Sequence, residues 1–328
     1  MSSQSDQPPK RGPGRPRKAA AAPAEPVAKR PVGRPRKVVA PAPTHAEKAS
    51  QRPLEPADQK LVDAFARAFD LPSQLLNLLS SPTPRLLVVI PSKGRPGNIA
   101  RAIDAWDLTG AFDIAQMVVL VEAAELEAYA QVIGPARYRP IMLVETGAPG
   151  YAHGANWAAR RWISDQGLGA ATDHLAVQGD DHLPETPGWA QRYVAELDQL
   201  VEQFGAGMVY GDDGLRGERL ATEWAVSRSW VETIGRVIPA LVGHLYSDTS
   251  VLDLAKAAGV ARYLPDVWVR HLHPLAGRAE WDEQYRRVNS DRQQQDDRRI
   301  YIRWSTRPES SPKAGLVNQA AKLRALRP

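Results

Sequence analysis

The stretch Leu86-Leu87-Val88-Val89-Ile90-Pro91-Ser92-Lys93-Gly94-Arg95-Pro96-Gly97-Asn98 decides the fold. An unbroken apolar run, 86–90, stops at a polar turn rich in Pro and Gly, and a helical pattern follows over 98–108. A short run without alternation, bounded by turn residues, reads as a strand buried on both faces. The unit then repeats: strands are expected at 115–121, 141–144 and 174–177, with helices at 126–132 and 153–166. This alternation predicts an α/β fold, a mostly parallel sheet with helices on both faces. Such sheets bind ligands beyond the carboxyl ends of their strands. Here those ends carry Arg95, Glu122, a Gly-rich turn at 147–154 leading into a helix with Asn156, and Gln178-Gly179-Asp180-Asp181-His182.

The chain of 328 residues is 43% hydrophobic, enough for one sizeable core with sequence left over. No apolar stretch approaches the ~18 residues of a membrane span, and the N-terminus lacks the apolar segment of a secretory signal, so a cytoplasmic protein is expected. Cysteine is absent, which excludes disulfides and thiolate metal sites; a metal here needs carboxylate and imidazole ligands. The net charge of +5 conceals a division. Residues 1–58 carry 12 Lys/Arg against 5 Asp/Glu, and 286–328 carry 11 against 4, whereas 59–285 carry 19 against 28. Two basic ends flank an acidic body, a pattern suited to a polyanionic partner.

Residues 1–57 are rich in Pro, Ala, Lys and Arg and are expected to be a disordered tail. One unit occurs twice in it, Pro13-Gly14-Arg15-Pro16-Arg17-Lys18 and Val32-Gly33-Arg34-Pro35-Arg36-Lys37. These units resemble the AT-hook, a minor-groove DNA-binding element. Gly permits close approach to the groove floor and Pro keeps the strip extended. Arg15, Pro16 and Arg17, with Arg34, Pro35 and Arg36, are then the candidate contacts to A·T-rich DNA. The linker between the cores could reach roughly 60 Å at ~3.1 Å per residue. Residues 58–84 read as a helical segment and linker, 85–285 as the α/β domain, and 286–328 as a basic helical extension.

From about Leu86 to Tyr285 the chain resembles the family-2-like nucleotide-diphospho-sugar glycosyltransferases of the GT-A fold, which include phage-encoded members. The points of resemblance are Val88-Val89-Ile90-Pro91-Ser92-Lys93-Gly94-Arg95-Pro96, Gln178-Gly179-Asp180-Asp181-His182-Leu183-Pro184-Glu185-Thr186-Pro187-Gly188-Trp189, the Ser247-Asp248 turn, and His271-Leu272-His273-Pro274. The resemblance implies a donor site in which Pro91, Ser92 and Arg95 line the nucleoside and diphosphate and Glu122 accepts from base or ribose. Asn156 and Asp180 are counted with it. A divalent cation, Mn²⁺ or Mg²⁺, is implied at Asp181 and His182, with a further ligand from His271 or His273, only one of which is expected to face the metal. The adjacent acids leave two registers open, Asp-x-His or a shifted pair. Asp248 stands where inverting members carry the carboxylate that deprotonates the acceptor, unless it simply caps the helix expected at 251–258. Asp212 and Asp213, after the apolar run 208–210, are the next candidates.

The expected donor is a nucleotide-diphosphate sugar, most simply a UDP-sugar. The hooks direct the acceptor expectation to DNA, and unmodified bases lack a suitable hydroxyl, so a hydroxylated pyrimidine is required. Two other readings remain open. One keeps the transferase and gives it a glycan, protein or lipid-linked acceptor; the other is a non-catalytic AT-hook protein. A nucleotidyltransferase of similar fold fits less well, since its Gly-rich phosphate loop is missing after the first strand.

Overall fold

A computed structural model describes residues 83–148, 150–164, 168, 171–311 and 315–328. The expected tail 1–57 with its repeated Gly-Arg-Pro units, and the segment 58–84 expected to be helical, lie outside the described residues save 83 and 84. The elements of the α/β half run β1 (Leu86–Pro91), α1 (Pro96–Thr109), β2 (Ala115–Val121), α2 (Leu126–Ile133), β3 (Ile141–Glu145), α3 (Tyr151–Ile163) and β4 (His174–Val177). There follow β5 (His182–Pro184), α4 (Trp189–Phe204), β6 (Met208–Asp212), β7 (Trp224–Ser227), α5 (Arg228–Ile234), α6 (Ser247–Ala258) and β8 (Ala261–His271). The C-terminal segment forms α7 (Glu283–Val288), α8 (Asp291–Ser305) and α9 (Leu316–Arg324).

The strands make one eight-stranded sheet in the order β3-β2-β1-β4-β7-β6-β8-β5. β3, β2, β1 and β4 are parallel, β7 pairs antiparallel with both β4 and β6, β8 is parallel to β6, and β5 is antiparallel to β8. Six strands thus share one direction, as the mostly parallel expectation requires, while β7 and β5 oppose it.

The apolar run 86–90 is buried on both faces because two helical layers meet there. Leu87 and Val89 join a cluster with Ala155, Ala159 and Trp162 of α3; Leu86, Val88 and Ile90 join another with Ile99, Ile103 and Trp106 of α1. All five side chains are 0% exposed, and burial of each stabilises the fold by about 1.5–3 kcal/mol. α1 begins two residues earlier than expected, with Pro in its first turn, where the missing N–H costs no helical bond. α6 begins four residues earlier, at Ser247, which places Asp248 in its first turn.

The C-terminal segment packs on the same core. Trp304, Ala320 and Leu323 belong to the α3 cluster, and Trp304 Nε1 donates to Gln319 Oε1 at 2.8 Å. Among the described residues, no helix is long and apolar enough to cross a membrane.

Candidate active site

The carboxyl ends of β1, β2 and β4, the β4–β5 link, the segment before α6 and the end of β8 surround a cavity of about 240 Å³. Pro91, Ser92, Arg95, Glu122, Asp180, Asp181, His182, Asp248, His271 and His273 all line it. Ten positions scattered over more than 180 residues are therefore brought together by the sheet. Asn156 and Asp213 are not on that wall.

The β4–β5 link holds the densest group. Asp181, His182 and His271 are buried and offer ligand atoms all within 4.8 Å of one another. β5 pairs with β8 in a register that sets His182 opposite His271, so the two rings stack at 4.1 Å. His182 Nδ1 lies 2.9 Å from Asp181 Oδ1, and His271 Nε2 lies 3.5 Å from Asp181 Oδ2. The first contact is close but misaligned: among the described residues, both ring nitrogens of His182, and Nδ1 of His271, have no hydrogen-bond partner. Buried polar atoms left in this way are rare. One carboxylate and two imidazoles this close together are a donor set that could hold a divalent metal ion.

The charges of the group are unequal. Burial alone would raise Asp181, but His182 and His271 override it and hold the carboxyl well below its ordinary range. Burial alone would lower His271, but Asp181 and Asp213 push it up to about 9. His182 is lowered by burial and by the neighbouring His271 charge. His273 lies beyond the end of β8, so strand alternation does not carry it into the group. Its ring meets His271 edge-on at 5.0 Å, and its Nδ1 accepts from the N–H of Leu275 at 3.2 Å.

Asp180 faces the other way. Its Oδ2 accepts from Ser92 Oγ at 2.5 Å, and Ser92 is within 2.7 Å of the Tyr129 hydroxyl. Burial and the Asp181 charge raise its carboxyl to about 6 despite Arg95 Nη1 at 3.3 Å. Arg95 also makes a two-pronged pair with Asp282, both contacts 2.7 Å, and its guanidinium lies 3.8 Å above the Tyr285 ring. Tyr285 O–H in turn reaches Asp181 Oδ2 at 2.8 Å. Arg95, expected at a diphosphate, is thereby held by two carboxylates and an aromatic face. Glu122 Oε1 accepts from Lys93 Nζ at 2.5 Å at the open side of the cavity.

Asp248 does not cap α6. The N-cap is Tyr246, without a side-chain cap bond, and Ser247 Oγ instead donates to the His244 carbonyl at 2.6 Å. Asp248 Oδ1 accepts from its neighbour Thr249, from N–H at 2.7 Å and more weakly from Oγ1 at 3.4 Å, and burial pushes its carboxyl up. Two of the expected residues have other duties. Asn156 is spent on the loop after α5: its Oδ1 accepts from Val237 and Ile238 N–H at 3.0 and 2.9 Å, and its Nδ2 donates to the Ile238 carbonyl. It is turned from the donor cavity to a backbone clamp. Asp213 Oδ1 accepts the N–H groups of 215–217 at 2.6–3.0 Å and Oδ2 accepts from Thr222, while Oδ2 also lies 3.6 Å from His271. With those bonds it orders a turn and faces His271 from behind.

Sequence reasoning missed Asp282, Tyr285, Tyr129 and Gly179. Asp282 and Tyr285 are recruited across more than 100 residues, and only the Asp-x-x-Tyr spacing of a helix N-cap marks them; Asp282 caps α7 by accepting from Tyr285 N–H at 2.8 Å. Gly179 stood inside the quoted motif. A Cβ there would lie 2.5 Å from Asp181 Oδ1 and 2.6 Å from His182 Nδ1, so the group closes over a bare backbone.

No family model matches the chain, and no characterised protein matches its sequence. Among solved structures it is similar in part to S. aureus TarS 1–349 in complex with UDP-GlcNAc, at 10% identity over 74% of this chain and 70% of that one, with a TM-score of 0.44. A second TarS 1–349 structure overlaps at 8% identity and a TM-score of 0.43, where the match covers 57% of this chain and spans 60% of that chain's length. Glucosyl-3-phosphoglycerate synthase from Mycobacterium tuberculosis, in complex with Mn²⁺, uridine diphosphate and phosphoglyceric acid, overlaps at 16% identity over 59% and 73%, with a TM-score of 0.40. These overlaps are loose, and no assignment of activity rests on them.

Proposed function

We propose that the chain is a metal-dependent, inverting glycosyltransferase that moves a sugar from a nucleotide-diphosphate sugar to a hydroxylated pyrimidine in DNA. The observation that carries the catalytic part is the Asp181–His182–His271 group, buried in the cavity, where both His182 nitrogens and His271 Nδ1 lack a hydrogen-bond partner among the described residues. A divalent cation held there supplies the positive charge that a departing diphosphate requires. Asp248 lines the same cavity with few bonds of its own and a carboxyl pushed upward, which suits a general base. In the proposed reaction Asp248 takes the proton of the acceptor hydroxyl, the hydroxyl oxygen bonds to the anomeric carbon, and the bond from that carbon to the diphosphate breaks. Nucleoside diphosphate leaves, and the proton remains on Asp248. Ser92 and Arg95 shape the donor side through Asp180, and Glu122 with Lys93 borders the nucleoside end.

The DNA part rests on the repeated hook units at 13–18 and 32–37. Hooks in the minor groove raise the effective concentration of the enzyme on duplex DNA and leave the major-groove face of a modified pyrimidine free. The test combines both parts. The full chain is incubated with UDP-sugars, Mn²⁺ or Mg²⁺, and DNA containing 5-hydroxymethylpyrimidines, and the digested nucleosides are weighed by mass spectrometry. A hexose or pentose mass on the pyrimidine is expected. It should fall about tenfold or more at low DNA concentration when Arg15, Arg17, Arg34 and Arg36 are replaced by Ala. Absence of any UDP-sugar consumption at every divalent-ion concentration rejects the enzymatic reading; transfer to a non-DNA acceptor that ignores the hook substitutions rejects the DNA acceptor.

A further inference from the structure

The sequence Asp296-Asp297-Arg298-Arg299 reads as mixed charge on an exposed helix. The structure separates the two acids: Asp297 is 1% exposed, on the inner face of α8. Among the described residues, no Lys or Arg forms an ion pair with it; amides surround it. Oδ1 accepts the Gly243 N–H at 2.6 Å, and Oδ2 accepts the N–H groups of His244 and Leu245 at 3.0 and 2.9 Å. Gln293 Nε2, one turn earlier on α8, adds a further bond to Oδ2 at 2.7 Å. Three consecutive backbone donors converging on one side chain require an acceptor-only group with several lone pairs, which is a carboxylate.

The bound segment leads straight into the cavity. Residues 244–248 all line it. A Cβ at Gly243 would lie 2.8 Å from Gln293 Nε2 and 3.4 Å from Asp297 Oδ1, so a side chain there would have to displace the Gln293 amide. On the other side its carbonyl accepts the Ala152 N–H at 3.4 Å, at the start of α3. Tyr246 is the only non-glycine residue among those described with a positive φ, 64°, a conformation that a tyrosine rarely adopts unless held. It is held by α8 as well: its ring stacks on Tyr301 at 5.1 Å, and Tyr301 O–H bonds Asp253 of α6. One helix therefore grips both the amides before the turn and the aromatic ring within it.

We infer that Asp297 is a positioning residue, an anionic mould for the amides of 243–245 that sets where His244 and Asp248 stand in the cavity. The role assigned to Asp248 rests on the proposed transferase reaction; the hold on the segment does not. Segment 286–328 is on this account a working part of the site: Arg298, Arg299 and Arg303 of α8 are exposed, and Asp297 of the same helix is turned in.

Asp297→Asn is the test, made in the full chain. The amide keeps the volume but presents an NH₂ group to backbone N–H groups, so at least one bond of the mould is lost. Amide exchange at Gly243, His244 and Leu245 should rise about tenfold or more while the β1–β4 amides stay protected. kcat for sugar-nucleotide consumption should fall about tenfold or more, while Mn²⁺ affinity and donor KM stay within about twofold. If the variant does not fold, Gln293→Ala removes one bond to the same carboxylate and should raise exchange at the same three amides. Unchanged exchange there overturns the inference, as does a kcat loss matched by an equal loss of Mn²⁺ affinity, which would mark a general collapse. If wild-type protein consumes no sugar nucleotide, the transferase reading fails, and the exchange measurement alone still decides whether Asp297 holds the segment.

Discussion

Asp181→Asn addresses the centre of the proposed site. The substitution keeps the shape and leaves an oxygen for the Tyr285 hydroxyl, now 2.8 Å away, so the fold should survive. It removes the only anion among Asp181, His182 and His271, whose ligand atoms lie within 4.8 Å of one another. The carboxylate already attracts the His271 ring strongly, from 3.5 Å. A unit charge pair at about 4 Å is worth about 4 kcal/mol at an effective dielectric near 20. Desolvation cancels part of this, leaving about 3 kcal/mol for a buried pair once broken, or roughly two decades of affinity for a cation. Mn²⁺ affinity, read from the free-ion resonance during titration, should therefore fall about 100-fold, and UDP release should fall with it. DNA affinity, read by fluorescence anisotropy on an A·T-rich duplex, should stay unchanged, because the proposed function places it in the repeated units at 13–18 and 32–37. Unaltered Mn²⁺ binding, or turnover within about threefold of wild type, would refute the assignment of this group as the metal site.

Two further outcomes follow from the same geometry. Gly179→Ala places a Cβ 2.5–2.6 Å from Asp181 Oδ1 and His182 Nδ1; Mn²⁺ affinity should drop about tenfold or more with the circular-dichroism spectrum unchanged, and a wild-type titration would show that the group does not need its present position. Glu223 is buried beneath the sheet, its Oε1 accepting from the Tyr193 hydroxyl and the Gly211 N–H, and burial pushes its carboxyl from 4.5 up to about 7. The folded protein then holds a proton that the unfolded chain releases above its ordinary value. This contribution is fully present below pH ~4.5 and is lost as pH rises through ~7, about 3 kcal/mol in all. Glu223→Gln should flatten that part of a urea-denaturation pH profile; an unaltered slope between pH 5 and 7 would contradict it.

The strand-helix alternation from β1 to β4 was legible because each element carries its own signal: buried strands are continuous apolar runs, and the turns after them hold Pro, Gly and charge. That is why the expected strands at 115–121 and 174–177 coincide with β2 and β4. The polar residues at these carboxyl ends were legible for the same reason, as local interruptions of local patterns. β7 and β5, which run against the other strands, were not, since a strand's direction is set by the partners it meets in the sheet and not by its own residues.

Composition and order along the chain determined that a metal, if present, must sit on carboxylate and imidazole, that the candidate groups follow successive strands, and that a Gly-Arg-Pro-Arg-Lys unit is repeated. Which groups meet was decided only by packing. Asn156 and Asp213 look like site residues by position, yet unpaired backbone N–H groups claim their oxygens. Asp282, Tyr285 and Asp297 look like surface residues, yet the C-terminal helices fold back on the sheet and carry them to the cavity wall or behind it. A side chain's own sequence neighbourhood sets what it can bond. Contacts spanning 50 to 190 residues set what it does bond, because a buried donor or acceptor must find a partner wherever the fold places it.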